Sequence, residues 1–285
     1  MTIRRLRRGA VPYPPLLQEI PDPPAVLWLR GEAAPELLER PSVAIVGARA
    51  CSSYGRSVAR TLGRELAAAG LVVVSGMARG IDSEAHRGAL DAGGVTVAVL
   101  GCGIDRDYPA AHRDLASRIV QRGLIVSEYE AGVEPAPWRF PARNRIIAGL
   151  CTATVVVEAR ERSGALITAD FALEDGREVM VVPGEITSSV SAGSNALLRL
   201  GATPVTAAAD VLEVYGIECV VALPESPGGL TGRLLERLAE SPASIDELAR
   251  SSGIAPGDVA AALIELELAG RISEGDGVYR ATIAR

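Results

Sequence analysis

Lysine is absent from this chain: all 29 basic residues among its 285 are arginine. A Walker-type phosphate loop needs its lysine, so a P-loop nucleotide hydrolase is excluded. Histidine occurs only twice, at His86 and His112, and the four cysteines (Cys51, Cys102, Cys151, Cys219) form no CxxC pair. That inventory argues against a zinc site or a disulfide scaffold and suits a reducing, cytoplasmic setting with no metal. No run free of Asp, Glu and Arg exceeds 13 residues, whereas a membrane-spanning helix needs about 20 apolar ones. The N-terminal MTIRRLRRGAVPYPP carries charge but no apolar block after it, so it is not a secretory signal. No membrane partner is expected. Aromatics amount to 4%, but 48% of residues are hydrophobic, which excludes a disordered chain.

The net charge of −6 would ordinarily argue against a nucleic-acid partner. Its distribution weakens that argument. Residues 1–216 are close to neutral, with 23 arginines against 24 acids, while residues 217–285 hold 6 against 11. Two acid-free windows stand out. One, between Glu39 and Glu65, carries Arg40, Arg49, Arg56, Arg60 and Arg64; the other, between Glu134 and Glu158, carries Arg139, Arg143 and Arg145.

Residues 1–41 are rich in proline (Pro12, Pro14, Pro15, Pro21, Pro23, Pro24, Pro35, Pro41) and read as an extended lead-in with little regular structure. A regular alternation follows. Short β-branched runs at Val43–Val46, Leu71–Val74, Val95–Leu100, Leu124–Ser127, Ala153–Glu158 and Glu178–Val182 predict strands. Helical patterns follow each, at about Tyr54–Ala69, Asp82–Ala92, Ala110–Arg122, Arg143–Leu150, Ala165–Asp175 and Ser194–Leu200. Apolar strands alternating with helices predict an α/β fold, a Rossmann-like, doubly wound parallel sheet over residues 42–221. Residues 222–232 have linker composition. Residues 233–285 predict three helices (Arg233–Ala239, Ile245–Arg250, Asp258–Ala269) and a hairpin around Asp276-Gly277, a small C-terminal winged-helix domain.

In open α/β sheets, ligands bind beyond the carboxyl ends of the strands, where unpaired backbone N–H groups favour anions. Several such ends here are glycine-rich: Gly47-Ala48-Arg49, Ser75-Gly76-Met77-Ala78-Arg79-Gly80, and Gly101-Cys102-Gly103. Glycine lets a phosphate approach the backbone, and arginine presents a planar fork to its oxygens. The full GxGxxG pattern is missing, so no dinucleotide cofactor is expected. The window Trp138-Arg139-Phe140-Pro141-Ala142-Arg143-Asn144-Arg145 interleaves rings with arginines, the combination that holds single-stranded nucleic acid, and Tyr108 supplies another ring. Each glycine also has a plainer reading as a tight turn, and Trp138 and Phe140 as core.

Taken together these segments resemble the DNA-processing protein A family (DprA, also called Smf). The resemblance rests on Ser75-Gly76-Met77-Ala78-Arg79-Gly80-Ile81-Asp82 with His86, Gly101-Cys102-Gly103 through Tyr108-Pro109, and Ser127-Glu128-Tyr129. It continues through Phe140–Leu150, Val157-Glu158-Ala159, Ser163-Gly164-Ala165-Leu166-Ile167-Thr168-Ala169 and Val182-Pro183-Gly184, in unbroken order from residue 43 to about 201. It implies a protein of natural transformation that binds and protects incoming single-stranded DNA, forms a homodimer and helps load RecA onto the strand. It further implies a phosphate pocket at Gly47, Ala48 and Arg49, with Arg139, Phe140, Arg143 and Asn144 in the matching FPxRNR segment. The family loop usually reads Gly-Ser-Arg, so Ala48 removes a hydroxyl; Ala142 stands where a basic residue is common. Many members carry a helical domain ahead of the lead-in, for which this chain has no room.

The candidate DNA-binding set is therefore Gly47, Ala48, Arg49, Ser75, Gly76, Arg79, Gly80, Gly101, Tyr108, Arg139, Phe140, Arg143, Asn144, Ser163 and Gly164. No catalytic residue or cofactor is expected. Two other classes remain open. A Rossmann-like nucleotide-binding enzyme or nucleoside-monophosphate phosphoribohydrolase would use Asp82 and His86, four apart on one helix, or Glu128 and Glu158 at strand ends. The chain, however, has SGALITADFALE where those hydrolases have PGGxGTxxE, and Asp82 also reads as a helix cap. An adaptor that binds only protein is the other class. In the tail, the helix Asp258–Ala269 has acids and no arginine, which predicts protein contacts rather than duplex reading.

Overall fold

The computed structural model describes residues 3–217 and 228–281, in two units, Met1–Cys219 and Val220–Arg285. In the first unit the chain runs β1 (Ile3–Arg7), α1 (Pro15–Gln18), β2 (Val26–Arg30), a 3-10 turn (Pro35–Glu39), β3 (Ser42–Val46), α2 (Ser53–Ala68), β4 (Val72–Ser75) and α3 (Ile81–Asp91). It continues with β5 (Thr96–Leu100), a second 3-10 turn (Ala110–His112), α4 (Arg113–Arg122), β6 (Leu124–Ser127), α5 (Arg139–Gly149), β7 (Ala153–Val156) and α6 (Gly164–Glu174). It ends with β8 (Glu178–Val181), α7 (Ala192–Arg199), β9 (Thr203–Pro204) and α8 (Ala208–Val214).

The nine strands form one sheet in the order β1-β2-β6-β5-β4-β3-β7-β8-β9. From β6 to β9 all neighbours are parallel. Every residue of β3 is buried, because helices cover both faces. Ala44 and Val46 pack with α5 and α6 residues such as Ile146 and Ala169. Val43 and Ile45 face the opposite way, onto Leu62 and Leu66 of α2 and Ala85 of α3. The winding reverses between β3 and β7: α2 leads from β3 toward β4 on one side, and α6 leads from β7 toward β8 on the other. That reversal leaves a crevice between two adjacent strand ends, where open sheets bind ligands.

The lead-in, residues 1–41, read from sequence as extended with little regular structure, instead contributes two strands to the sheet, Ile3–Arg7 and Val26–Arg30. β1 pairs antiparallel with β2, and β2 pairs antiparallel with β6, Trp28 opposite Ser127. Leu17, Leu27 and Leu29 are fully buried in the core beneath α5. Proline breaks the segment into pieces too short for periodicity to show, while β6 offers an edge whose backbone groups need partners.

The second unit is a winged helix: α9 (Gly229–Glu240), α10 (Ile245–Ser252), α11 (Pro256–Leu268) and the hairpin β10 (Ile272–Gly275) and β11 (Val278–Ala281). Asp276 and Gly277 both have positive φ, 58° and 76°, as the expected tight hairpin turn requires. Val259, Leu263 and Leu266 of α11 are core, packed with Leu234, Leu238 and Leu248. α9 begins at Gly229, inside the segment read as a linker; most of that linker, with Cys219, lies outside the described residues.

Candidate nucleic-acid interface

A cavity of about 210 Å³ opens at the carboxyl ends of β3 and β7. Among the expected residues, Gly47, Arg49, Phe140, Arg143, Asn144, Ser163 and Gly164 line it, joined by Asp82, Pro141 and Thr168. Gly47 leaves no room for a side chain: a Cβ there would sit 2.6 Å from Cγ1 of Ile81 and 2.9 Å from the Glu158 carbonyl oxygen. The N-terminus of α6 borders the cavity through Gly164 and Ala165, with Ser163 as its cap, so positive helix-end potential faces the space.

Arg49 is exposed, and its guanidinium lies over the Phe140 ring at 5.6 Å from the centroid. Phe140 in turn stacks on Tyr108, centroids 5.2 Å apart and planes inclined by 23°. Gly101 makes that approach possible, since a Cβ there would meet Phe140 Cδ1 at 3.0 Å. Arg139 turns away from the cavity. Its guanidinium lies 4.9 Å from both the Tyr129 and Trp138 ring centroids and donates to the Glu134 carbonyl.

Arg143, one of the expected DNA-binding residues, is buried. Its Nη1 donates to the Gly76 carbonyl at 2.8 Å and to the Val99 carbonyl, and its Nε donates to Asn144 Oδ1 at 3.0 Å. Burial brings the guanidinium pKa down to about 10, so it remains positive at neutral pH. Asp82 lies beside it, accepting the Ala78 N–H at 3.3 Å. Burial pushes the Asp82 carboxyl up, against the opposing pull of Arg143 and Arg49. A Cβ on Gly76 would fall 2.1 Å from Arg143 Nη2 and 2.7 Å from Asp82 Oδ2, so that glycine gives the pair its space.

Eight expected residues stand outside the cavity lining: Gly76, Gly101, Tyr108 and Arg139, described above, and Ala48, Ser75, Arg79 and Gly80. The Ser75 hydroxyl is buried and donates to the Ile45 carbonyl at 2.6 Å, a link between β4 and β3 that leaves it no part in ligand contact. Ala48 is buried too; its N–H donates to the Glu158 carbonyl at 2.7 Å and its carbonyl accepts from Ile81 at 3.3 Å. Its amide is therefore unavailable to an anion. Gly80, at φ 80°, lets the chain pass the Ala48 carbonyl, which a Cβ would approach to 2.3 Å. Arg79 is exposed on the same loop. Sequence reasoning passed over Arg160 and Arg162, exposed immediately before Ser163, because Glu161 between them hides the basic signal.

The groups weighed for acid–base chemistry have other partners. His86 Nδ1–H donates to Thr96 Oγ1 at 2.7 Å, because the Thr96 hydroxyl hydrogen goes to the Val73 carbonyl at 2.6 Å. Burial lowers the His86 pKa to about 3, so the ring is neutral and not paired with Asp82. Glu128 holds Arg145 through both oxygens, at 2.9 and 2.8 Å. Glu158 accepts from the Ser52 N–H and hydroxyl, and so fixes Ser52, the N-cap of α2, whose hydroxyl oxygen accepts the Gly55 N–H. Among the described residues no three His, Cys, Asp or Glu side chains cluster as metal ligands, and no helix is long and apolar enough to cross a membrane.

Fold and site thus define a doubly wound α/β protein with an arginine-lined crevice at its switch point, followed in the chain by a winged helix. The chain belongs to the DNA recombination-mediator protein A family, whose model matches residues 5–216, while the DprA winged helix domain matches residues 221–277. It is 45% identical over 266 residues to the putative DNA processing protein DprA of Mycobacterium tuberculosis, covering 90% of this chain and 68% of that one. The crystal structure of DNA processing protein A from Streptococcus pneumoniae superposes with a TM-score of 0.71 at 44% identity, over 74% of each chain. DNA processing protein A from Helicobacter pylori, whose structure was solved to explain its single-stranded DNA binding mode, superposes at 0.67 with 32% identity, over 75% of this chain and 95% of that one.

Proposed function

We propose that this chain, within the DNA-processing role of its family, binds single-stranded DNA at the switch-point crevice. The observation that carries the reading is the convergence on one cavity of exposed Arg49, the α6 N-terminus and the Phe140–Tyr108 stack. Arg49 and the helix end hold phosphate oxygens, Arg143 adds fixed positive charge from beneath, and the stacked rings offer a face to an unstacked base. Contacts of this kind read backbone and shape more than sequence. Gly76, Gly80 and Gly101 act as spacers, and Ser163 and Gly164 present the helix end. The single-strand binding described for the Helicobacter pylori relative supports the same reading.

In the cell the protein acts in the cytoplasm during natural transformation. It protects the incoming strand and helps load RecA onto it, as a homodimer in which two crevices engage one strand and raise avidity. No catalytic step is assigned: Asp82, His86, Glu128 and Glu158 are each held by structural partners. Titration with oligo-dT at several salt concentrations tests the binding. Micromolar or tighter affinity with a log–log slope of about −0.7 per neutralised phosphate is expected. Release of base from nucleoside monophosphates with no DNA binding would replace this reading by the hydrolase. The rate of RecA filament growth on the coated strand, with and without the protein, tests the loading.

A further inference from the structure

A second concavity, of about 460 Å³, lies in the same unit between β2 and the loop that follows β6, walled by Pro24, Val26, Trp28, Tyr129, Glu130 and Val133. Its walls are braced. The Tyr13 hydroxyl donates to the Pro24 carbonyl at 2.7 Å, Trp28 is in register with Ser127, and the Tyr129 N–H donates to the Ser127 hydroxyl at 3.0 Å. Two of the chain's ten aromatic rings therefore face a preformed groove.

The groove is linked to the first cavity through consecutive residues. Phe140 lines the cavity, and the guanidinium of Arg139 rests on Tyr129, which lines the groove. A strand whose base lies on Phe140 would pass Arg139 and reach the groove. Its polar chemistry differs from that of the cavity. Glu128, also at the groove, is already held by Arg145. Glu130 is exposed and forms no ion pair among the described residues. A carboxylate only accepts hydrogen bonds, so it repels phosphate and suits a base edge that donates. Cytosine, adenine and guanine carry an exocyclic amino group; thymine has none, and its one ring N–H is flanked by two carbonyl oxygens.

We infer that this groove is a second base subsite, in which Trp28 and Tyr129 stack a nucleobase and Glu130 selects one with an exocyclic amino group over thymine. The inference rests on the single-strand reading of the first cavity. It adds a base preference to a contact that is otherwise indifferent to sequence.

Trp28 and Trp138 are the only tryptophans, so Trp138→Phe leaves Trp28 as the sole tryptophan, reporting on the groove under excitation that tyrosine does not absorb. Labelled dC20 and dT20 are titrated at pH 8 against the full chain, and Trp28 emission is followed in the variant. The expected result is at least about tenfold tighter binding of dC20, the lower end of what one charge-assisted hydrogen bond contributes, with stronger quenching of Trp28 by dC20. Glu130→Ala is expected to bring the two affinities together. Equal affinities with Trp28 unquenched would overturn the subsite and leave the first cavity's reading intact. A dC20 preference that survives Glu130→Ala would overturn the assignment of Glu130. Failure of both oligonucleotides to bind would overturn the single-strand reading and the subsite with it.

Discussion

At the scale of single residues the crevice balances one buried carboxylate against two arginines. Asp82 is the only acidic side chain in the cavity lining, and it opposes the phosphate that Arg49 and Arg143 attract. Asp82→Asn keeps an oxygen for the Ala78 N–H but removes the charge. Single-stranded DNA affinity is expected to rise about fivefold at low salt, an electrostatic gain that shrinks as salt is added. Since burial raises the Asp82 pKa, wild-type affinity rises as pH falls toward that raised value, and Asp82→Asn removes this part of the pH dependence. Arg49→Ala, at an exposed position, is expected to lower affinity about tenfold with an unchanged melting temperature, because one phosphate contact is lost without a core contact.

His86 carries the opposite pH sign for stability. Its pKa is about 3 in the fold against 6.5 when free, so the unfolded chain binds the extra proton first. Stability is complete above about pH 6.5 and falls as pH drops through the window toward 3, by about 1.4 kcal/mol per unit. Between pH 6.5 and 5 the loss from this group is about 2 kcal/mol. Ionised Asp82 works the other way, gaining stability as acid protonates it, so the net slope is shallower than His86 alone would give. Urea melts at pH 7 and pH 5 should therefore show a smaller difference for His86→Gln than for the wild-type chain. An equal difference would place the acid sensitivity elsewhere.

Among the elements, α2 and α6 use their N-termini differently. The Ser52 cap of α2 is closed by Glu158, whose carboxylate takes the Ser52 N–H and hydroxyl. α6, capped by Ser163 alone, remains open to the cavity. Gly55 permits the closure, since a Cβ there would meet the Glu158 carboxyl at 2.4 Å. Glu158→Ala leaves a polar N–H without its partner and is expected to cost about 1–3 kcal/mol in chemical denaturation, while leaving the α6 end of the crevice in place. In the winged helix, α11 carries Asp258, Glu265 and Glu267 and no arginine. A helix of that charge does not suit a duplex groove, so removing residues 218–285 is expected to leave duplex affinity unchanged in a gel-shift titration.

For the whole molecule, the sheet extends to residues that look dispensable. β1 and β2 continue it past β6, and Leu27 and Leu29 are wholly buried. A chain lacking residues 1–41 would expose the β6 edge and that part of the core, and is expected to be insoluble or to melt far below the full chain. Leu29→Ala, a milder change at the same place, is expected to cost about 2–5 kcal/mol in the same denaturation.

Much of the crevice could be read along the chain because each contribution to it is local. A strand that ends in glycine, followed by a helix, places N–H groups and a nearby arginine at one end of the sheet wherever that helix packs. Gly47, Arg49, Phe140, Asn144, Ser163 and Gly164 could be named for that reason, and their ordered motifs already resembled the family. The alternation of apolar strands and helices likewise specified a parallel sheet, since only burial on both faces explains such runs. What depended on tertiary structure was whatever required a distant partner. Ser75 and Ala48 look available in sequence, yet Ile45 and Glu158 engage them; Arg143 reads as a direct DNA contact, yet it is buried under the crevice with backbone carbonyls as partners. The place of β1 and β2, and with it the groove at Trp28, depended on β6, about a hundred residues along the chain. Local spacing determined which residues could meet a phosphate; long-range hydrogen bonds and burial decided which of them were free to do so.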